Sequence, residues 1–125
     1  MRIKQLGFTL IELVIAVVII AILAVVAIPK YISLSNSAQI SATKDVAGSL
    51  TSASTMNYGV RSATPGSGQA VTGCADASTL LQGGLPAGYT INATDAGAVT
   101  AAQTGTCTLD GPDSTTATFV IIGIA

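Results

Sequence analysis

The stretch that decides the fold is residues 1–31, MRIKQLGFTLIELVIAVVIIAILAVVAIPKY. After a short basic start, residues 8–28 are apolar at every position except Thr9 and Glu12. At about 1.5 Å per residue, a helix of this length spans about 30 Å, the thickness of the hydrocarbon core of a bilayer. The run therefore predicts a membrane-spanning helix that carries a carboxylate near its beginning.

The charges that flank this run predict its orientation. Arg2 and Lys4 precede it and only Lys30 follows it closely, so the N-terminus is expected in the cytoplasm and the remainder across the membrane. A cleaved secretory signal is one alternative, but its apolar region is shorter, about 7 to 15 residues, and the end of this run, AVVAIPKY, lacks an A-x-A-like site. A simple membrane anchor is the other, and it leaves Glu12 unexplained, because charged groups inside a bilayer are costly and usually mark a functional contact.

Two cysteines, Cys74 and Cys107, lie beyond the apolar run, and the chain has no histidine to complete a zinc site with them. A disulfide between them is the leading interpretation, and two buried free thiols are the alternative. A bridge would place this part of the chain in an oxidising compartment. It would also stabilise a core made largely of small side chains by about 3–4 kcal/mol.

The string GFTLIELVIAVVIIAILAVVAIPKY resembles the N-terminus of type IV prepilins and related pseudopilins. The resemblance covers about the first 31 residues and rests on a basic leader that ends in Gly7, the aromatic Phe8, the carboxylate Glu12, a membrane-length helix and Pro29. It implies that residues 1–7 form a leader that a membrane aspartyl peptidase removes between Gly7 and Phe8. The same enzyme would methylate the new amine of Phe8.

The resemblance also implies a role for Glu12 in assembly. Cleavage would create an ammonium group at Phe8, one helical turn from Glu12. In a low-dielectric interior, a carboxylate that faces an ammonium on a neighbouring subunit recovers part of its desolvation cost through a charge-assisted hydrogen bond. A contact within one chain is the competing geometry, and the sequence leaves both open.

Pro29 predicts a bend or local melting of the helix at residues 25–29. Its ring removes one backbone hydrogen bond and clashes toward the carbonyl of residue 25. Ala21 stands where type IV pilins commonly have glycine, and alanine favours helix at that boundary. The resemblance implies that such melting occurs in assembled filaments.

The rest of the chain predicts an α+β fold, in which one long helix packs on a small antiparallel sheet of about four strands, as in the type IV pilin fold. The helix is expected from residue 8 to about residue 60, with residues 29–60 as its amphipathic half and residues 61–125 as a connecting loop and sheet. The run FVIIG at residues 119–123 is interpreted as a buried central strand, with a subunit contact surface as the alternative. The strand-like runs are GYTINAT, AVTAA, TCTLD and TATFVIIGIA, at residues 88–94, 98–102, 106–110 and 116–125.

Composition argues against several classes of function. Without histidine, and with its acidic residues isolated at turns, the chain offers no set of catalytic groups, so no enzyme and no cofactor are predicted. Outside the leader, the only basic residues are Lys30, Lys44 and Arg61, too few for a nucleic-acid surface. Asp110 and Asp113 supply too few oxygen ligands for calcium, so no metal is predicted.

These features together predict a structural subunit of a type IV pilus. The precursor is expected in the inner membrane with a periplasmic C-terminal part, where prepilin peptidase/methyltransferase and the pilus assembly machinery convert it into an extracellular helical homopolymer. A minor pilin or a type II secretion pseudopilin would use the same chemistry, although the disulfide favours a pilin over a major pseudopilin. From a different class, the alternative is a monomeric membrane-anchored binding protein in which Glu12 contacts another membrane protein.

Overall fold

The computed structural model describes residues 7–125 and begins with one long helix, α1, Leu10–Ala63. Its extent confirms the helix predicted from residue 8 to about residue 60, within two or three residues at each end. The chain divides after Ser35 into two compact units, which are described separately. The leader prediction for residues 1–6 lies outside the described residues.

The first unit exposes its apolar side chains. Every large hydrophobic residue between Phe8 and Ile28 is exposed, and Val14, the most covered of them, still has 46% of its surface accessible. By length and composition, α1 contains a segment apolar enough to cross a membrane, with a mean hydropathy of 3.3. Such a surface needs lipid or other protein chains around it.

The helix is continuous across residues 25–29, and Pro29 lies inside it. A proline in a helix interior removes one backbone hydrogen bond, and the flanking turns maintain the helix here. Alanine is abundant on the N-terminal side of this proline, and it is the residue that favours helix most. The bend and melting expected in an assembled filament stay predictions.

The second unit contains a three-stranded antiparallel sheet in the order β1-β2-β3. The strands are β1 Thr90–Ile91, β2 Thr104–Asp110 and β3 Thr116–Ile122. The long hairpin of β2 and β3 sets the register and pairs Cys107 with Phe119. Side chains alternate between the two faces along both long strands, so one face is buried and the other is accessible.

One of the four predicted strands, AVTAA at residues 98–102, is wrong, because no strand forms there. Val99 is buried, but its N–H donates to the carbonyl oxygen of Thr72 at 2.7 Å instead of joining the sheet. Ala102 has φ +64°, a left-handed conformation that belongs to a turn. With one large apolar residue among five, this run lacks the alternation that a half-buried strand needs.

Two other segments complete the pairing of the sheet differently from the prediction. Val71 forms an isolated antiparallel bridge with Ile124, with reciprocal N–H···O bonds of 2.8 and 2.9 Å. The predicted strand at residues 88–94 is reduced to β1, because Asn92 accepts hydrogen bonds from the N–H and hydroxyl of Thr94 and closes a turn there.

The interpretation of FVIIG as a central strand is also wrong, since β3 lies at the end of the strand order and β2 is central. Phe119 and Ile121 are buried, whereas Val120 is 38% exposed. Helix α1 covers part of the β3 edge through two hydroxyl groups. The N–H of Val120 donates to Thr51 Oγ1 at 3.2 Å, and that of Ile122 to Ser54 Oγ at 2.9 Å.

The core joins the helix, the sheet and the connecting loop. Leu50 of α1 is fully buried with Phe119, Leu109 and Ile121 of the sheet. The hydroxyls of Thr43 and Thr115, both buried, are 2.7 Å apart. Within residues 7–125, no buried side-chain nitrogen or oxygen lacks a hydrogen-bond partner. The buried polar side chains of this small core are therefore hydrogen-bonded, as in the interiors of stable proteins.

The disulfide prediction is confirmed. Cys74 and Cys107 are bonded and fully buried, and the alternative of two free thiols is excluded. Cys74 begins a short 3-10 helix, Cys74–Thr79, in the connecting loop, and Cys107 lies in the central strand. The bridge therefore fastens the loop to the middle of the sheet.

Candidate functional site: the N-terminal segment before and within the helix

The segment at the start of the described chain is accessible. Residues 7–9 are not helical, and α1 begins at Leu10. Gly7 is exposed, and 81% of the surface of Phe8 is accessible. The peptide bond between Gly7 and Phe8 therefore lies in exposed, non-helical backbone directly before a helix.

Thr9 and Glu12 form a capping box at the beginning of α1. The N–H of Thr9 donates to Glu12 Oε2 at 2.9 Å, and the Thr9 hydroxyl donates to the same oxygen at 2.6 Å. In return, the N–H of Glu12 donates to Thr9 Oγ1 at 3.4 Å. This reciprocal pattern satisfies backbone donors that a helix leaves free in its first turn. It explains why the helix begins at Leu10.

The capping box gives the Glu12 carboxylate a partner that sequence reasoning did not identify. Both predicted partners, the ammonium of the same chain and that of a neighbour, require a free amine at Phe8, and here Phe8 follows Gly7 in the chain. Thr9 holds the carboxylate instead. The signal was available, because Thr9-x-x-Glu12 directly before an apolar run has the spacing of a capping box.

Residues 2–28 match a protein-family model, the prokaryotic N-terminal methylation motif. The chain carries this methylation motif. The match includes Gly7, Phe8, Thr9 and Glu12 and ends directly before Pro29. It confirms the resemblance to type IV prepilins and pseudopilins and supports a precursor of that kind, with processing by prepilin peptidase and a structural role.

Beyond the motif, the architecture supports the same relationship. No curated protein and no solved structure matches the chain. The long α1 with a small antiparallel sheet nevertheless forms an α+β fold that is consistent with the type IV pilin fold, with three strands where about four were predicted. The apolar helix and the methylation motif together fit a membrane-anchored precursor.

Asp76, in the loop that follows α1, accepts three hydrogen bonds on one carboxylate oxygen. Its Oδ2 accepts hydrogen bonds from the Thr72 N–H at 2.7 Å, the Thr72 hydroxyl at 2.9 Å and the Gly73 N–H at 3.2 Å. The backbone hydrogen bond from Thr72 is the main cause that lowers the pKa of Asp76, while partial burial opposes it. This carboxylate fixes the chain directly before Cys74 and so positions the loop that carries the disulfide.

The structure does not bring the remaining acidic residues into a metal site. Within residues 7–125, no group of three or more histidine, cysteine, aspartate or glutamate side chains could hold an ion. Asp110 and Asp113 are both exposed, and Asp113 has φ +55° in the turn between β2 and β3.

Proposed function

We propose that this chain is the precursor of a structural subunit of a type IV pilus. The observation that carries the proposal is the methylation motif at residues 2–28 on an exposed apolar helix. A subunit of this kind needs a helix that is stable both in lipid and among identical helices. It also needs a folded part that survives outside the cell, and the disulfide-bonded sheet supports this requirement.

Processing would hydrolyse the peptide bond between Gly7 and Phe8 at the cytoplasmic face. Water supplies the oxygen of the new Gly7 carboxylate, and the released amine of Phe8 takes up a proton. After this group loses a proton, its nitrogen attacks the methyl carbon of a sulfonium donor, the donor leaves as a thioether, and N-methyl-Phe8 results. The exposed, non-helical backbone at residues 7–9 supports this step, because a peptidase needs an extended segment to reach the bond.

Assembly would exchange the partner of Glu12. In the precursor, Thr9 donates two hydrogen bonds to the carboxylate, but these neutral donors leave its negative charge uncompensated. Cleavage adds a positive charge at Phe8, and an ammonium on a neighbouring helix offers a stronger, charge-assisted bond. The remaining charge of Glu12 in lipid thus favours packing of the processed helix against its neighbours.

The apolar helix would serve as membrane anchor and then as filament core. The exposed side chains of residues 8–28 are covered by lipid before assembly and by identical helices afterwards. The precursor would lie in the inner membrane with its N-terminus in the cytoplasm. The assembled homopolymer would be extracellular, and the pilus assembly machinery would extract the subunit from the bilayer.

Mass spectrometry of the protein from its native cell tests this proposal. We expect N-methyl-Phe8 as the first residue of the chain in sheared surface filaments, with Cys74 and Cys107 oxidised. A chain that begins at Met1 or beyond Pro29 would contradict the proposal. A processed chain that stays in the membrane fraction would instead favour the monomeric membrane-anchored binding protein.

The abundance of the chain distinguishes a major pilin from a minor pilin or a secretion pseudopilin. If filaments contain this chain as their main component, it is the major subunit. If it is a trace component, or if its loss stops protein secretion without loss of surface filaments, the alternative roles apply. The disulfide favours a pilin over a major pseudopilin.

A further inference from the structure

The apolar surface of the first unit continues past Pro29. Tyr31, Ile32 and Leu34 are exposed, with 78%, 65% and 64% of their surfaces accessible. Counted from Leu10, where α1 begins, the helix reaches the far side of a hydrocarbon core of about 30 Å at about residue 30. Residues 30–34, KYISL, then lie in the headgroup layer beyond it.

Lys30 and Tyr31 are of residue types that suit this layer. The ring of tyrosine and the stem of lysine are apolar, whereas the hydroxyl and the ammonium need water or polar partners. Lys30 is exposed, and the other charged groups of α1 are far from it. The nearest acidic residues of the helix, Glu12 and Asp45, are each about four helical turns away or more. Since ion pairs on a helix form between residues three or four positions apart, the ammonium has no carboxylate within reach on α1.

A shallow apolar hollow lies on the membrane side of these two residues. Its volume is about 260 Å³, and it is lined by Ala27, Ile28, Tyr31 and Ile32. The side chains of a helix lean toward its N-terminus, so Tyr31 and Ile32 extend over the turn before them. Lys30 follows the small Ala27 by three positions and therefore flanks the hollow. An ammonium, a phenol and an apolar hollow thus meet where lipid acyl chains join their headgroups.

We propose that residues 27–32 bind a phospholipid of the leaflet on the far side from the N-terminus, with a preference for an anionic headgroup. The ammonium of Lys30 contacts the lipid phosphate through a charge-assisted hydrogen bond, and an acyl chain packs in the hollow beside Tyr31. The net positive charge at Lys30 attracts an anionic lipid more strongly than a zwitterionic one. This contact rests on the proposal that α1 crosses a membrane, but it does not depend on assembly into a filament.

Tryptophan fluorescence in lipid vesicles tests the depth of this site. The chain has no tryptophan, so a single introduced one reports only on its own position. Tyr31→Trp keeps an amphipathic ring at the site, and Ile20→Trp places the probe about 16 Å deeper in the bilayer. We expect phosphatidylcholine brominated close to the glycerol ester to quench Tyr31→Trp best. Lipid brominated near the end of the acyl chain should quench Ile20→Trp best.

Vesicles of equal parts phosphatidylglycerol and phosphatidylcholine test the lipid preference. With bromine on only one of the two lipids, the quenching of Tyr31→Trp measures how often that lipid lies beside residue 31. We expect phosphatidylglycerol to be preferred about two- to fivefold at this position. A second substitution, Lys30→Gln, should remove the preference. The matched control is Lys44→Gln, which removes an exposed lysine of the second unit and should leave the preference unchanged.

Two results would overturn the proposal. The first is that Tyr31→Trp is quenched by no lipid, or best by lipid brominated near the end of the acyl chain, while Ile20→Trp lies at the bilayer centre. The second is that the two lipids quench Tyr31→Trp equally, or that the preference persists in full with Lys30→Gln. If no lipid quenches Ile20→Trp, the membrane-spanning helix itself is contradicted, and with it the proposed pilus precursor.

Discussion

Thr9 is the residue that determines the surroundings of Glu12 before processing. It supplies two donors to one carboxylate oxygen and accepts the N–H of Glu12 in return. A capping box of this kind stabilises the first turn of a helix. Glu12 therefore caps the helix together with Thr9, and it is also proposed to pair with the Phe8 ammonium. Single substitutions of Thr9 and of Glu12 can separate these two roles.

The first prediction compares Glu12→Ala with Thr9→Val. Glu12→Ala removes the charge that is proposed to pair with the Phe8 ammonium, so we expect normal membrane insertion and little or no polymerisation. Thr9→Val removes the hydroxyl bonds but keeps the carboxylate, and we expect filaments to form. Quantification of the chain in membranes and in sheared filaments measures both effects. Normal filaments from Glu12→Ala would contradict the proposed pairing.

Asp76 gives a second prediction at the same scale. Hydrogen bonds lower its pKa in the folded state below the ordinary value of 3.8. A carboxylate with a lowered pKa contributes stability that is fully present above its unfolded pKa and is lost as the pH falls through the folded value. The wild-type chain should therefore lose stability below about pH 4 in part through this group.

The variant Asp76→Ala isolates this contribution. It removes three hydrogen bonds at the start of the short helix Cys74–Thr79, and we expect the free energy of unfolding at pH 7 to fall by about 1 kcal/mol. Because the group no longer titrates, the difference from wild type should shrink as the pH falls from 5 to 2. Urea unfolding across this range measures it, and a difference that is constant with pH would contradict the assignment.

At the scale of the elements, the contact between α1 and the edge of β3 is unusual, because helix side chains accept hydrogen bonds from the backbone of an edge strand. An edge strand usually exposes a row of unpaired N–H and C=O groups. Here Thr51 and Ser54, one helical turn apart, accept two of the edge N–H groups in the positions that a further strand would otherwise occupy. A helix face thus replaces part of the missing fourth strand.

Substitution of the two hydroxyl residues gives a third prediction. Ser54 is fully buried, so Ser54→Ala leaves the N–H of Ile122 without an acceptor and should destabilise the chain by about 1–3 kcal/mol. Thr51→Val should have a smaller effect, because Val120 is partly exposed and water can replace the hydroxyl. Ser52→Ala is the matched control, since this exposed hydroxyl bonds only within the helix.

Denaturant unfolding of the full chain in detergent measures these differences. We expect the order of stability to be Ser52→Ala about equal to wild type, then Thr51→Val, then Ser54→Ala. Equal stability of Ser52→Ala and Ser54→Ala would show that the helix hydroxyl is not needed at the β3 edge.

The sequence predicted those elements whose signals are local. The length and composition of residues 8–28 predicted the apolar helix. The disulfide was predicted because Cys74 and Cys107 are the only two cysteines of the chain. The helix–edge contact could not be predicted in this way. Its donors are backbone N–H groups 68 and 69 positions along the chain from the hydroxyls that accept them. Any residue except proline supplies such a donor, so no residue type marks it.

The wrong strand predictions have a similar cause. The run at residues 98–102 has strand-like residues, but the N–H of Val99 donates to the carbonyl oxygen of Thr72 in the connecting loop and not to a neighbouring strand. The run FVIIG is apolar throughout, and an edge strand that faces a helix needs apolar residues as much as a central strand does. In the candidate site, the processing residues were predicted from a motif, whereas the role of Thr9 depends on hydrogen bonds that only the folded helix start shows.

At the scale of the whole molecule, the second unit depends on its disulfide. It has a small core, and the loop that follows α1 is joined to the sheet by the bridge, by the hydrogen bonds between Val71 and Ile124 and by buried apolar side chains such as Ala77. The bridge closes a loop with a sequence separation of 33 residues. Such a loop restricts the unfolded chain considerably.

The fourth prediction concerns removal of this bridge. A variant with Cys74→Ser and Cys107→Ser should lose about 3–4 kcal/mol of unfolding free energy and should accumulate less in filaments. The matched control is Ser78→Ala, which changes a partly exposed side chain of the same loop whose hydroxyl donates only to the nearby carbonyl of Ala75. Alkylation of both cysteines in the secreted wild-type chain without a reductant would contradict the structure.

The covered β3 edge has a consequence for how such a chain associates with copies of itself. If the chain is a pilus subunit as proposed, its copies share one membrane before assembly, where the sheet edges of neighbouring copies could join into disordered aggregates. By occupying two edge donors with Thr51 and Ser54, the fold closes that route along half of the strand. In the proposed pilus subunit, self-association is then left to the apolar helices, which favours an ordered filament over a precipitate.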